Sequence, residues 1–170
     1  FLGKGFVPVG SADPMTRAPL RFPVNHHLAQ ILERAVAGAQ LAWGPVFLEG
    51  ALFNGDEPER PGQWPSLGRF GDSWSARGTL TPVAGLELSG SFADVKSPEH
   101  RPGAGGEHHK THFGVSWQSS RLSALGEWAR TSELDGFFVF ESWLAEVGWS
   151  VGSAVVHYRA ERTERPEEAR

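Results

Sequence analysis

Residues 72–96 read Asp72-Ser-Trp-Ser-Ala-Arg-Gly-Thr-Leu-Thr-Pro82, then Val83-Ala-Gly85, then Leu86-Glu-Leu-Ser-Gly-Ser-Phe-Ala-Asp-Val-Lys96. In the first arm Trp74, Ala76, Gly78 and Leu80 fall on one side, and Ser73, Ser75, Arg77, Thr79 and Thr81 on the other. In the second arm Leu86, Leu88, Gly90 and Phe92 oppose Glu87, Ser89 and Ser91. Side chains alternate across a strand, so each arm has one apolar and one polar face. Arms of about ten residues are long for globular strands and match the length that crosses a bilayer when tilted. Small and charged residues on the polar face suit a water-filled interior better than a packed core. The hairpin therefore predicts an all-β fold: part of an antiparallel transmembrane β-barrel with an aqueous lumen.

Working outward, the same pattern recurs. Val46 to Asn54 reads as a strand, as do Lys110 to Gln118 and Leu122 to Thr131. Phe113, Val115, Trp117 and Trp128 join Trp74, Leu80, Leu86, Leu88 and Phe92 as the residues expected to face lipid. Phe137 to Val147 and Trp149 to Ala160 form a last pair around Gly148, and Phe1 to Val9 ends an early strand. Asn25 to Trp43 carries two signals. Leu28, Ile31, Leu32 and Ala35 have helical spacing, whereas Val36 to Trp43 reads as a strand. A long strand from Ala29 is the expectation, with a short helix over Asn25 to Arg34 as the alternative.

About eight antiparallel strands result, and their connections alternate in length. They are tight at 44–45, 83–85, 119–121 and 148. They are longer at 55–71, 97–109 and 132–136. Outer-membrane barrels have short turns on one side and long loops on the other, whereas a soluble barrel has no need of strict alternation. Pro14, Pro19 and Pro23 make Gly10 to Pro23 a loop.

The 170 residues suffice for one domain, taken as a single barrel segment over 1–170. Hydrophobic residues make up 39%, which by itself suggests a soluble protein, but only alternate residues of a barrel face lipid. No apolar run approaches the roughly 20 residues of a membrane helix. Cysteine is absent, which removes disulfides and thiolate chemistry. A net charge of −4 without a basic cluster argues against nucleic-acid binding. The chain starts at Phe1 within an apparent strand and ends in a polar stretch, so truncation at both ends is expected.

Chemistry-bearing motifs are few. His108, His109 and His112 are close in sequence but no His-Glu-x-x-His motif is present, and solvated loop histidines are expected rather than a metal site. Ser153 and His157 lie four residues apart, about 13 Å along a strand and too far for a hydrogen bond. With no Gly-x-Ser-x-Gly elbow, phosphate loop or dinucleotide fingerprint, neither enzymatic activity nor a cofactor is expected.

Gly3-Lys4-Gly5-Phe6-Val7-Pro8-Val9-Gly10, then Asp13-Pro14-Met15 and Phe22-Pro23-Val24-Asn25-His26-His27, resembles the early strand and constriction loop of bacterial porins of the phosphate-selective type. Leu48 to Asp56 resembles the way strands of that family run into an outer loop. The resemblance implies a homotrimeric outer-membrane channel of roughly 16 strands, of which this chain supplies about half. It implies passive diffusion of small solutes or anions, narrowed by the loop near Gly10 to Asn25. Lys4, Arg17, Arg21, Arg34 and Arg77 are the matching basic candidates, with Glu87 as an acidic lumen residue. The net charge and the lack of a regular arginine series depart from phosphate selectivity. Two alternatives stand beside the porin: a soluble β-barrel that binds a small ligand, and a small outer-membrane barrel with a structural or lipid-hydrolase role.

Overall fold

The computed structural model describes residues 1–10, 33–56, 58, 60, 62–96, 106–133 and 136–164. These form one nine-stranded antiparallel sheet: β1 (Leu2–Gly5), β2 (Arg34–Trp43), β3 (Val46–Phe53), β4 (Ser73–Val83), β5 (Leu86–Lys96), β6 (Glu107–Gln118), β7 (Leu122–Glu133), β8 (Phe138–Val151) and β9 (Ala154–Thr163). Spatial order equals chain order, and β1 and β9 are the two edges, so the sheet does not close on itself. Strands β2 and β4 to β9 have 10 to 14 residues, the length read from the opening hairpin.

The hairpin forms as its sequence dictates. Ala76 pairs with Phe92, Gly78 with Gly90 and Leu80 with Leu88, keeping the apolar residues on one face. The register shifts between Leu80 and Val83. Pro82 lies in that irregularity, where a residue without an N–H does least harm to the ladder. Three of the four tight turns place a glycine at positive φ: Gly44, Gly85 and Gly152. The fourth, Ser119 to Leu122, uses a side chain instead. The Ser119 hydroxyl accepts the Leu122 N–H at 3.0 Å and donates to the Leu122 carbonyl at 3.1 Å.

The register carries one alternation through the sheet. One face is bare: Leu41 pairs with Leu48, Leu52 with Trp74, Leu88 with Val115, Phe113 with Trp128 and Trp128 with Trp143. The other face is covered, and Ser73, Ser75, Ser91, His112, Glu127, Thr131 and Ser142 on it are buried. A small apolar cluster lies at one end of the covered face, where Val7 and Val9 from beyond β1 meet Val36, Phe53, Ala93, Val95 and Ala129. The connection from β3 to β4 is packed onto the same end. Asn54 donates to the Ser66 carbonyl at 2.6 Å, and Asp72 accepts from the Gly55 N–H at 2.9 Å.

Several boundaries differ from the sequence reading. The described residues form nine strands where about eight were expected, and β1 ends at Gly5 rather than Val9. Strand β6 starts at Glu107, so His108 and His109 belong to it; both have partners on β5 and β7, which extends the ladder into the expected loop. Gly148 is not a turn. Strand β8 runs through it, and the chain reverses at Gly152-Ser153. Glycine is needed at 148 for space: a Cβ there would stand 2.5 Å from Ser123 Oγ and 2.8 Å from His157 Cε1. Strand β2 starts at Arg34; the helix alternative over Asn25 to Arg34 and the start at Ala29 lie almost wholly outside the described residues, as does the loop from 11 onward.

Turn glycines separate two costs. A Cβ on Gly44 meets nothing within 4 Å, whereas one on Gly85 would lie 2.3 Å from the Gln118 carbonyl oxygen; both have positive φ. Gly44→Ala is expected to lose about 1–2 kcal/mol through φ alone. Gly85→Ala adds a clash of about 1–3 kcal/mol. Denaturant unfolding of both variants checks the order, and equal losses would refute the close approach at Gly85.

Candidate functional site

The bare face has internal order. Toward the tight-turn end this face carries the aromatics Trp43, Trp117, Trp149 and Tyr158, within a few register steps of one another, and Trp43 is 81% exposed. Toward the loop end Trp74, Phe92, Phe113, Trp128 and Trp143 form a second row. Neighbouring rings in it touch: Trp74 and Phe92 at 5.2 Å, Phe113 and Trp128 at 5.9 Å, Trp128 and Trp143 at 6.2 Å between centroids. Between the rows stand Leu41, Leu48, Leu80, Leu88, Val115 and Val147, all exposed. Beyond the second row the same face turns charged, with Asp94 paired to His109, Lys96 to Glu107, and Arg130 to Glu141. All nine residues expected to face lipid lie on this face.

The charged residues of the other face are largely enclosed. Glu49 and Arg77 are register partners on β3 and β4 and form an ion pair. Gln40 also donates to Glu49, at 3.1 Å. Arg77 reaches beyond its strand: its Nη1 donates to the Gly10 carbonyl at 3.2 Å. The Gly10 N–H donates to Ser91 Oγ at 2.9 Å. Thus five residues after β1 the chain lies over β4 and β5, so Phe6 to Gly10 crosses the covered face. A cavity of about 440 Å³ remains between this segment and the sheet, lined by Phe6, Val9, Gln40, Glu49, Ala51 and Arg77.

Of the expected lumen residues, Arg77, Glu87 and Arg34 share this face. Glu87 lies opposite Ser116, in the polar register of Ser89 and Ser91. Arg34 is buried with its guanidinium 5.6 Å from the Phe53 ring centroid. Lys4 departs from the expectation: it pairs with Ala35, in the register of the bare face, and its ammonium is 3.6 Å from Glu33. Arg17 and Arg21 lie outside the described residues.

His108 and His109, expected in a solvated loop, belong to β6. His112 lies in the strand expected from Lys110 to Gln118 and is fully buried there, between Ser91 on β5 and Glu127 on β7. Its position two residues from Lys110 and Gly114, opposite Ser91, was a signal available from the alternation. His109, Asp94 and Glu107 offer ligand atoms within 4.8 Å of one another. The Lys96 ammonium contacts both Glu107 and Asp94, so the local cation is a side chain. Ser153 sits in the last turn and His157 on β9.

One carboxyl lies apart, in the packed β3–β4 connection. Burial pushes Asp56 above its ordinary 3.8; Arg69 pulls it down, Asp72 raises it and Arg34 lowers it. The folded state thus favours protonated Asp56. Its contribution to stability is complete below 3.8 and is lost as pH rises through the higher folded value. Asp56→Asn is expected to flatten the fall of the thermal midpoint over this window; parallel curves for the two proteins would show that Asp56 titrates normally. The Glu49–Arg77 pair gives a second prediction. Arg77→Met leaves Glu49 buried without its cation and should cost about 3–5 kcal/mol, whereas the double change with Glu49→Leu should recover most of it. Equal losses in the two variants would mean that leaving Glu49 without its cation adds no cost.

Comparison of the chain with protein-family models, curated proteins and solved structures gave no match.

Proposed function

We propose that this sheet is part of the wall of a bacterial outer-membrane β-barrel, a general diffusion porin whose covered face lines a water-filled lumen. One observation carries the reading: the sheet is inside-out. Its bare face holds an apolar band flanked by aromatics, with charges only toward the loop end, and its covered side is rich in polar residues. Outer-membrane barrels have that order, with aromatic girdles at both membrane interfaces. A soluble ligand-binding barrel has the reverse order, an apolar interior and a polar exterior. From Trp143 to Val151 the band covers about 27 Å along β8, or roughly 20 Å of height at the usual tilt, close to the ~25 Å of known barrels.

The partner of the bare face is then the lipid bilayer, and the permeants are small hydrophilic solutes. Glu49, Glu87, Glu127, Glu133, Glu146 and Glu161 share the covered register with Arg34, Arg77, Lys110 and Arg159. That balance supports diffusion without anion preference. Unpaired backbone groups cost several kcal/mol in hydrocarbon, so the reading requires further strands against β1 and β9, with the homotrimer of the porin plan as its assembled form.

The full-length protein in a planar bilayer should give stepwise, ohmic conductance, with a reversal potential in a salt gradient that is near zero or favours cations. A protein that stays soluble without detergent and gives no conductance would overturn the porin and make the ligand-binding barrel the leading reading.

A further inference from the structure

We propose that Ser91, His112 and Glu127 are positioning residues that hold Phe6 to Gly10 over the covered face and so set the bore beside Arg77. The effect on bore rests on the pore reading; the holding of the segment does not.

Ser91 and His112 are register partners on β5 and β6, Glu127 on β7 stands diagonally across from His112, opposite Gly114, and all three are buried. Ser91 Oγ accepts the Gly10 N–H at 2.9 Å, and His112 Nδ1 lies 3.3 Å from the same oxygen. With Gly10 N–H as a donor, the Ser91 hydroxyl hydrogen is available to Nδ1. On the far side of the ring, Nε2 lies 3.7 Å from Glu127 Oε2. The imidazole is thus packed between Ser91 and Glu127, and Ser91 is held with a lone pair toward Gly10. The ring also has a dedicated space: a Cβ on Gly114 would be 2.9 Å from His112 Nε2. On the other side of Gly10, Arg77 donates to its carbonyl, and Val7 and Val9 are buried in the apolar cluster. One peptide segment is therefore gripped at N–H and C=O by two neighbouring strands.

A buried serine with this geometry could simply fill space, and the test separates the two roles. Ser91→Ala removes one oxygen and leaves the strand ladder intact. The Gly10 amide should then exchange its hydrogen at least about tenfold faster, while strand amides such as that of Ala93 keep their rates. The unit conductance should rise, with the thermal midpoint little changed. Glu127→Gln should move both readouts in the same direction by a smaller factor. Unchanged Gly10 exchange in Ser91→Ala would overturn the proposal. Faster exchange with unchanged conductance would keep the grip and refute its control of the bore. If the unaltered protein does not conduct, the pore reading fails, and Gly10 exchange still decides whether the segment is held.

Discussion

The structure depends on a period of two that is kept in register from strand to strand. A slip of one residue would turn every side chain of a strand to the opposite face. In β4 it would send Arg77 to the bare side and Trp74 inward. In β7 it would expose Glu127 and bury Trp128 against His112. The one irregularity, between Leu80 and Val83, sits next to a tight turn and at a proline, where the ladder is ending. The alternation therefore survives from β2 to β9, and the two faces stay chemically distinct.

This arrangement changes what holds the molecule together. A soluble sheet hides its large apolar residues, but here Phe53, Val36, Leu144 and a few others supply a modest apolar core. Much of the covered face is serine, threonine, glycine and paired charge. Burying such a group unpaired is costly, and some partners are found within the face, although Ser75 Oγ and Thr131 Oγ1 are buried without a hydrogen bond. Glu49 meets Arg77 and Gln40, and Ser91 meets Gly10 and His112. Glycines serve this face by leaving room: Gly114 for the His112 ring, and Gly148 for Ser123 and His157. The polar network thus specifies geometry, and the bare face leaves its stabilisation to whatever solvent surrounds it.

Much of this was readable in the chain, and the failures have local causes. The opening hairpin announces both faces because alternation, length and a Val-Ala-Gly turn agree. That Trp74, Leu80, Leu86, Leu88, Phe92, Phe113, Val115, Trp117 and Trp128 share one face followed from parity alone, and parity needs no knowledge of contacts. His108 and His109 were misread because Gly103, Gly105 and Gly106 precede them, and glycine-rich composition outweighed an alternation that continues to Glu107. Gly148 was taken for a turn because glycine marks both turns and close approaches, and only the neighbours on β7 and β9 tell them apart. The grip on Gly10 was invisible, since it joins residues 81 positions apart across a face that sequence cannot fold.

The limits of the bare band carry the argument one step further. Above the second aromatic row the bare face carries the cross-strand register pairs of opposite charge Lys96 with Glu107 and Arg130 with Glu141, and Asp94 stands opposite His109. Phe92 stacks on His109 at 6.1 Å, joining the aromatic row to the charged one. Such a sequence of layers, aliphatic, aromatic and then ionic, follows the fall in hydrocarbon content from the middle of a bilayer to its headgroups. A face made for burial against another protein needs no ordering along the strand axis. The layering is the order that the proposed lipid contact of Trp74, Phe113 and Trp128 requires.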